Sequence, residues 1–308
     1  MNKQMYLVEG ALLIALYNVI LFLSLILPFV GMILVFVLPV PFIIYTYKYG
    51  LQKAVLFLFA ALFVSFLINT LPGVIFTSIF GVAGIVMGFF AQKQKSGIET
   101  LIAGTLAFVF PLLLLYIASI TLFGMNLETL IEESTTETLN MVEGILKMSG
   151  AETELLIEQM EQAIEVFSFL LPSTLLLTAF TLALFSQLVG YPILRRLKIG
   201  LNKVPSFREV LLPKSFLWFY LIILLLSMIQ IEPGTFFYMA IINIFYILQL
   251  LMVLQGLSLI YFFCHKKGIP LIVPIILTVL SPFLLYIIRI LGIIDLGFDL
   301  RNRIKTKR

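Results

Sequence analysis

The sequence predicts an all-α protein: a polytopic transmembrane helix bundle of about eight or nine spans, carrying an extracellular amphipathic helical hairpin. Three observations carry this. Of 308 residues, 61% are hydrophobic and 12% charged, where an ordinary soluble domain has about 25% charged residues. Apolar runs of about 18 residues or more recur, the length that crosses a hydrocarbon layer. The charge is also segregated: residues 126–165 hold ten glutamates against the single Lys147, and the rest holds 19 basic and six acidic residues.

Apolar segments are read at roughly 6–27, 31–47, 51–70, 73–91, 98–123, 166–190, 214–231, 235–263 and 269–294. A backbone in hydrocarbon must satisfy its own hydrogen bonds, so each is expected as a helix. The breaks fall at Pro28, "YKYGLQK" (47–53), Pro72-Gly73, "QKQKSG" (92–97), "EPG" (232–234) and "HKKG" (265–268). Pro39 and Pro41 mark the second segment as a broken or tilted helix. The organisation is therefore residues 1–123 as a five-helix first part, 124–165 as an acidic extracellular insertion and 166–190 as a sixth span. A basic cytoplasmic loop follows at 191–213, and 214–308 form a C-terminal helical extension.

Lysine and arginine set the sidedness, because cytoplasmic loops are enriched in them. Lys48 and Lys53, Lys93 and Lys95, Lys266 and Lys267, and six basic residues in 191–214 all mark cytoplasmic loops. Simple alternation then gives a multi-pass protein of the bacterial cytoplasmic membrane with a cytoplasmic N-terminus and an external acidic segment. The basic "LRNRIKTKR" at the C-terminus conflicts with a full set of spans, and the short segment 214–231 is the first candidate not to cross.

In the acidic insertion Glu154, Glu158, Glu161 and Glu165 form one stripe of a helix, and Leu156, Met160, Ala163 and Phe167 another. Carboxylates suit calcium or magnesium. Without a loop to wrap an ion, however, the stripe reads as a solvated face over an apolar underside.

Within the spans, Ala11 and Ala15 stand one turn apart on the first helix and are candidates for a partner-helix contact. Gly81, Gly84 and Gly88 make a similar small-residue face, best read as packing inside the bundle. Asn18, Thr174, Thr178 and Thr181 are candidate cavity lining, since a ligand site needs only a few convergent polar groups. Asn69, Asn243, Gln249 and Gln255 add neutral polar groups of the kind that join helices. Arg289 is the candidate intramembrane charge, where burial costs roughly 2.5–3.5 kcal/mol at a helix centre.

Catalytic patterns are absent. Cys264 is the one cysteine and His265 the one histidine, with no third ligand or base in sequence reach. There is no HExxH and no phosphate loop. The chain is expected not to be an enzyme and to need no cofactor or metal. Nucleic acid is not an expected partner, because the basic residues lie scattered in separate loops. Membrane lipid is the expected environment.

Five stretches together carry a family resemblance: "LVEGALLIALYNVI", "LLPSTLLLTAF…LVGYPILRRLKIG", "VPSFREVLLPKSF", "LQGLSLIYFFCHKKGIP" and "GIIDLGFDLRNR". In this order they resemble the YybS family of predicted bacterial membrane proteins over nearly the whole chain. That resemblance implies a membrane protein but no particular activity. The plan of the first six spans is also similar to the substrate-binding S components of energy-coupling-factor vitamin transporters. That likeness implies that Ala11 and Ala15 contact a coupling subunit. The extra C-terminal spans and the acidic insertion depart from that pattern.

The expected function is small-solute binding or transport by an S-component-like core, with a cavity among the first six spans. The alternative is a non-transport adaptor or assembly factor acting through protein–protein contacts, which calls for a filled core.

Overall fold

A computed structural model describes residues 5–124, 136–138, 141–142, 166, 169–197, 206–229 and 231–303, and these are mostly helical with no strand among them. The acidic hairpin expected over 124–165 falls almost wholly outside the described residues, as does 198–205 of the basic loop. The helices are α1 (Met5–Ile26), α2 (Pro28–Leu34), α3 (Pro39–Tyr49), α4 (Leu51–Gln92), α5 (Gly97–Phe123) and α6 (Leu171–Arg196). They continue as α7 (Ser215–Ser227), α8 (Phe236–Lys267), α9 (Ile272–Val279), α10 (Leu285–Phe298) and α11 (Leu300–Arg303). Among them, α1, the run Phe29–Tyr49, α4, α5, α6 and α8 are long and apolar enough to cross a membrane.

Three stretches of the chain, covering four of the expected segments, differ from a simple rod. The second is broken as its prolines suggest: a 3-10 turn at Val35–Val37 joins α2 to α3, and Pro39 opens α3. Proline fits there because a first-turn N–H has no helical partner to lose. The third and fourth segments form the 42-residue α4, which as a straight rod would be about 63 Å long. Instead Thr70 leaves helical geometry at φ 53°, ψ −144°. A Cβ on Gly73 would lie 2.3 Å from the Ser65 carbonyl oxygen, and one on Gly81 would lie 2.5 Å from Leu58 Cδ1. These pairs move apart along the chain together, so α4 is two antiparallel halves folded at Thr70. The segment expected as one helix over 269–294 is instead α9, a 3-10 turn at Ser281–Phe283, and α10. Pro282 cannot donate a backbone bond and breaks the run. Neither piece, of eight and 14 residues, reaches the ~20 residues of a full span.

The chain divides into two compact units, Met1–Leu130 with Thr174–Val204, and Ile131–Ser173 with Pro205–Arg308. In the first, Tyr17, Leu21, Phe42 and Phe108 are fully buried. Tyr17 meets Phe42 edge-on at 5.0 Å, and Phe42 meets Phe57 edge-on at 5.2 Å. The glycine stripe of α4 packs internally: a Cβ on Gly84 would be 2.6 Å from the Pro39 oxygen, and one on Gly88 would be 2.8 Å from the Ile43 oxygen. Only glycine lets α3 approach α4 this closely. One end of the unit gathers its cations. Lys48 pairs with Glu9 at 2.8 Å, Lys53 sits 4.5 Å over the Tyr6 ring, and Gln92 Nε2 donates to the Tyr47 carbonyl at 3.0 Å.

The second unit packs α7, α8 and α10 around Tyr220, Leu248, Met252 and Leu296. Asn243 ties α8 to the start of α6: its amide donates to the Phe169 carbonyl at 2.7 Å, and its side-chain oxygen accepts from the Ser173 backbone N–H at 2.9 Å and from the Ser173 hydroxyl.

Candidate functional site

The buried residues of α10 are Ile288, Gly292, Asp295 and Leu296, spaced along one helical face. A carboxylate on that face needs a partner, because an unpaired buried charge is among the costliest defects in a fold. The Asp295 side chain is 0% exposed, and Arg301 answers it with Nε 3.0 Å from Oδ2. The intervening geometry makes this reach possible. Asp299 adopts the left-handed conformation (φ 49°), ends α10 and turns the chain so that Arg301 points back.

Around this pair lies a polar network. Gln255 Nε2 of α8 donates to the same Asp295 oxygen at 2.5 Å, and its Oε1 accepts the Leu212 backbone N–H at 3.0 Å. Arg301 Nη1 donates to the Arg208 carbonyl at 2.9 Å, and Nη2 donates to Ser258 Oγ at 3.0 Å. The Ser258 hydroxyl is within bonding distance of the Phe207 and Val210 carbonyls, at 2.8 and 2.7 Å, and its single proton serves one at a time. Asp295 Oδ1 has no hydrogen-bond partner among the described residues. The network thus clamps the turn 207–212 onto α8 and α10.

The clamped turn forms one wall of a cavity of about 420 Å³, together with Ser206, Tyr261, Cys264 and His265. Arg208 stands on that wall, with Glu209 at 3.8 Å as a loose surface partner. Chemically this is a cationic, hydroxyl-bearing recess, and among the described residues no acidic group lines it.

The residues singled out from the sequence fall elsewhere. Ala11 and Ala15 lie on the exposed side of α1. Asn18 is buried and used internally: its amide donates to the Ile14 carbonyl at 2.9 Å and its oxygen accepts from Asn69 at 3.3 Å. Thr174 and Thr181 are half-buried and Thr178 is exposed, while the buried stripe of α6 runs through Ala179, Ala183, Ser186 and Gln187. Thr181 donates to the Leu177 carbonyl at 2.8 Å. Arg289 is half-buried, with its guanidinium 4.9 Å from the centre of the Tyr286 ring. The deeper charges are Asp295 and Arg301, which the sequence reading passed over. Among the described residues, no group of three or more His, Cys, Asp or Glu is placed to hold a metal ion.

The chain is 34% identical over 313 residues to "Uncharacterized protein YybS" of Bacillus subtilis (strain 168), covering 99% of this chain and 100% of that one. No solved structure matches it. The family described as "Predicted membrane protein (DUF2232)" matches residues 15–296. With nearly the whole chain covered by both, the protein belongs to the YybS (DUF2232) family of predicted membrane proteins.

Proposed function

We propose that this membrane protein is a non-enzymatic adaptor or assembly factor of the bacterial cytoplasmic membrane, working through protein–protein contacts. The observation that carries the reading is the packed middle of the first unit. Tyr17, Phe42 and Phe57 fill it, and the amides of Asn18 and Asn69 bond to each other instead of facing an open space. The cytoplasmic N-terminus rests on the end where Lys48, Lys53 and the first turn of α1 meet. Ala11 and Ala15 offer another helix close approach from the outward side of α1.

The test is blue-native electrophoresis of the protein extracted from its own membranes in mild detergent. A larger species containing a second protein is expected for the wild type, and the Ala11→Leu/Ala15→Leu double variant should lose it. If the double variant keeps the same species, the partner-helix contact is wrong.

A second reading, small-solute binding or transport by an S-component-like core, draws on the course of the first unit. There α1, α2–α3, the two halves of α4, α5 and α6 make the helical passes such a core needs. Asn18, Thr174, Thr178 and Thr181 would then have to line a space that opens on binding. Native mass spectrometry of the purified protein that finds a retained small solute would favour it.

A further inference from the structure

The recess beside the Asp295–Arg301 network has the chemistry of an amphiphile site. We propose that it holds the phosphate of an anionic phospholipid headgroup, with the acyl chains running along α9. This goes beyond the adaptor reading and stands or falls without it, because it concerns different residues and a different readout.

Position is the first argument. The 32 residues of α8 span about 48 Å, longer than the ~30 Å hydrocarbon core and close to the full bilayer with its headgroups. The ends of such a helix therefore sit at headgroup level. Cys264 and His265, in the last turn before Lys267, form part of the recess.

Charge is the second. Arg208 supplies a guanidinium to the lining, which also holds His265 and the hydroxyl-bearing Ser206 and Tyr261. The nearby acid, Glu209, pairs with Arg208 only at 3.8 Å between exposed side chains. Such a contact is weak and leaves guanidinium donors for an oxyanion.

The third is the other half of the ligand. Ile269, Leu271 and Pro274 complete the lining, and α9 continues outward with Ile272, Ile276 and Val279 exposed. Free phosphate has no use for an apolar wall. A phospholipid presents an oxyanion at one end and hydrocarbon along the rest, which matches the sequence of surfaces met here. The recess is also preformed, since Arg301 and Ser258 hold the backbone carbonyls of Arg208 and Phe207.

Native mass spectrometry of the full chain in detergent, titrated with phosphatidylglycerol or phosphatidylcholine, tests this. The wild type should hold one phosphatidylglycerol in preference to phosphatidylcholine. Arg208→Gln should weaken that binding about fivefold, the scale expected for one basic group at a lipid headgroup. Arg208→Lys should recover much of it, and Lys53→Gln, on the other unit, should leave it unchanged. Melting temperature shows that each variant is folded. Equal binding of the two lipids, or undiminished binding by a folded Arg208→Gln, overturns the proposal. Displacement of the lipid by millimolar inorganic phosphate also overturns it, by making free phosphate the occupant.

Discussion

Gly292 meets Gly256 so closely that a Cβ on Gly292 would stand 2.9 Å from the Gly256 nitrogen and 2.0 Å from the Met252 carbonyl oxygen. A Cβ on Gly256 would in turn lie 2.0 Å from the Ile288 oxygen. Here α8 and α10 are in backbone contact, and a methyl group must push them apart. Gly256→Ala is expected to destabilise the protein by about 1–3 kcal/mol, as overpacking does. Gly297→Ala is the control, because its Cβ would meet Leu217 at an ordinary 3.6 Å. Thermal melts in detergent should show a drop for the first variant alone.

Asp295 and Arg301 should behave as a unit. Asp295→Ala strands Arg301, whose side chain is 13% exposed, and is expected to cost about 3–5 kcal/mol. The double variant Asp295→Ala/Arg301→Met removes both charges and should cost less than Asp295→Ala and Arg301→Met added together. Denaturation of the four proteins gives the coupling directly. Simple additivity would mean that the pair does not hold the site.

At the fold in α4, Thr70 carries a left-handed φ that a β-branched residue rarely adopts. Strain of this kind amounts to about 1–3 kcal/mol, and glycine relieves it at some entropic cost. Thr70→Gly should therefore raise the melting temperature modestly. A lower melting temperature would show that the Thr70 side chain contributes more than its backbone strain removes.

Asn18 and Asn69 separate two roles that look alike in sequence. If they act as a bonded pair, Asn18→Leu leaves a buried Asn69 amide without its acceptor and costs about 1–3 kcal/mol. Asn18→Leu/Asn69→Leu should then be closer to the wild type than Asn18→Leu alone. If instead they line a solute site, the double variant would change ligand retention while leaving the melt alone.

Much of the fold is legible in the sequence because membranes impose lengths and breakers impose ends. Pro28 opens α2, Gly50 separates α3 from α4, Ser96 caps α5 with a reciprocal bond to Glu99, and Gly268 closes α8. The break at Ser281-Pro282 was hidden because both flanks are apolar, and proline within a membrane run is often tolerated. The candidate site was hidden for another reason. Hydropathy weighs a charge by its distance from the end of an apolar run, and Asp295 near such an end reads as interfacial. Its partner Arg301 lies beyond the run and is brought back only by the left-handed turn at Asp299. The helical phase did carry a signal: Asp295 shares a face with Ile288 and Gly292. Arg289, one position past Ile288, falls off that face.

The Arg301 clamp also sets an order on biogenesis. Arg208 and Arg301 are 93 residues apart in the chain. At a synthesis rate of about 5–20 residues per second, the 207–212 turn is made roughly 5–20 s before the residue that fastens it. Through that interval the Arg208 carbonyl lacks its Arg301 donor. The second unit can lock only when its last helices have left the ribosome.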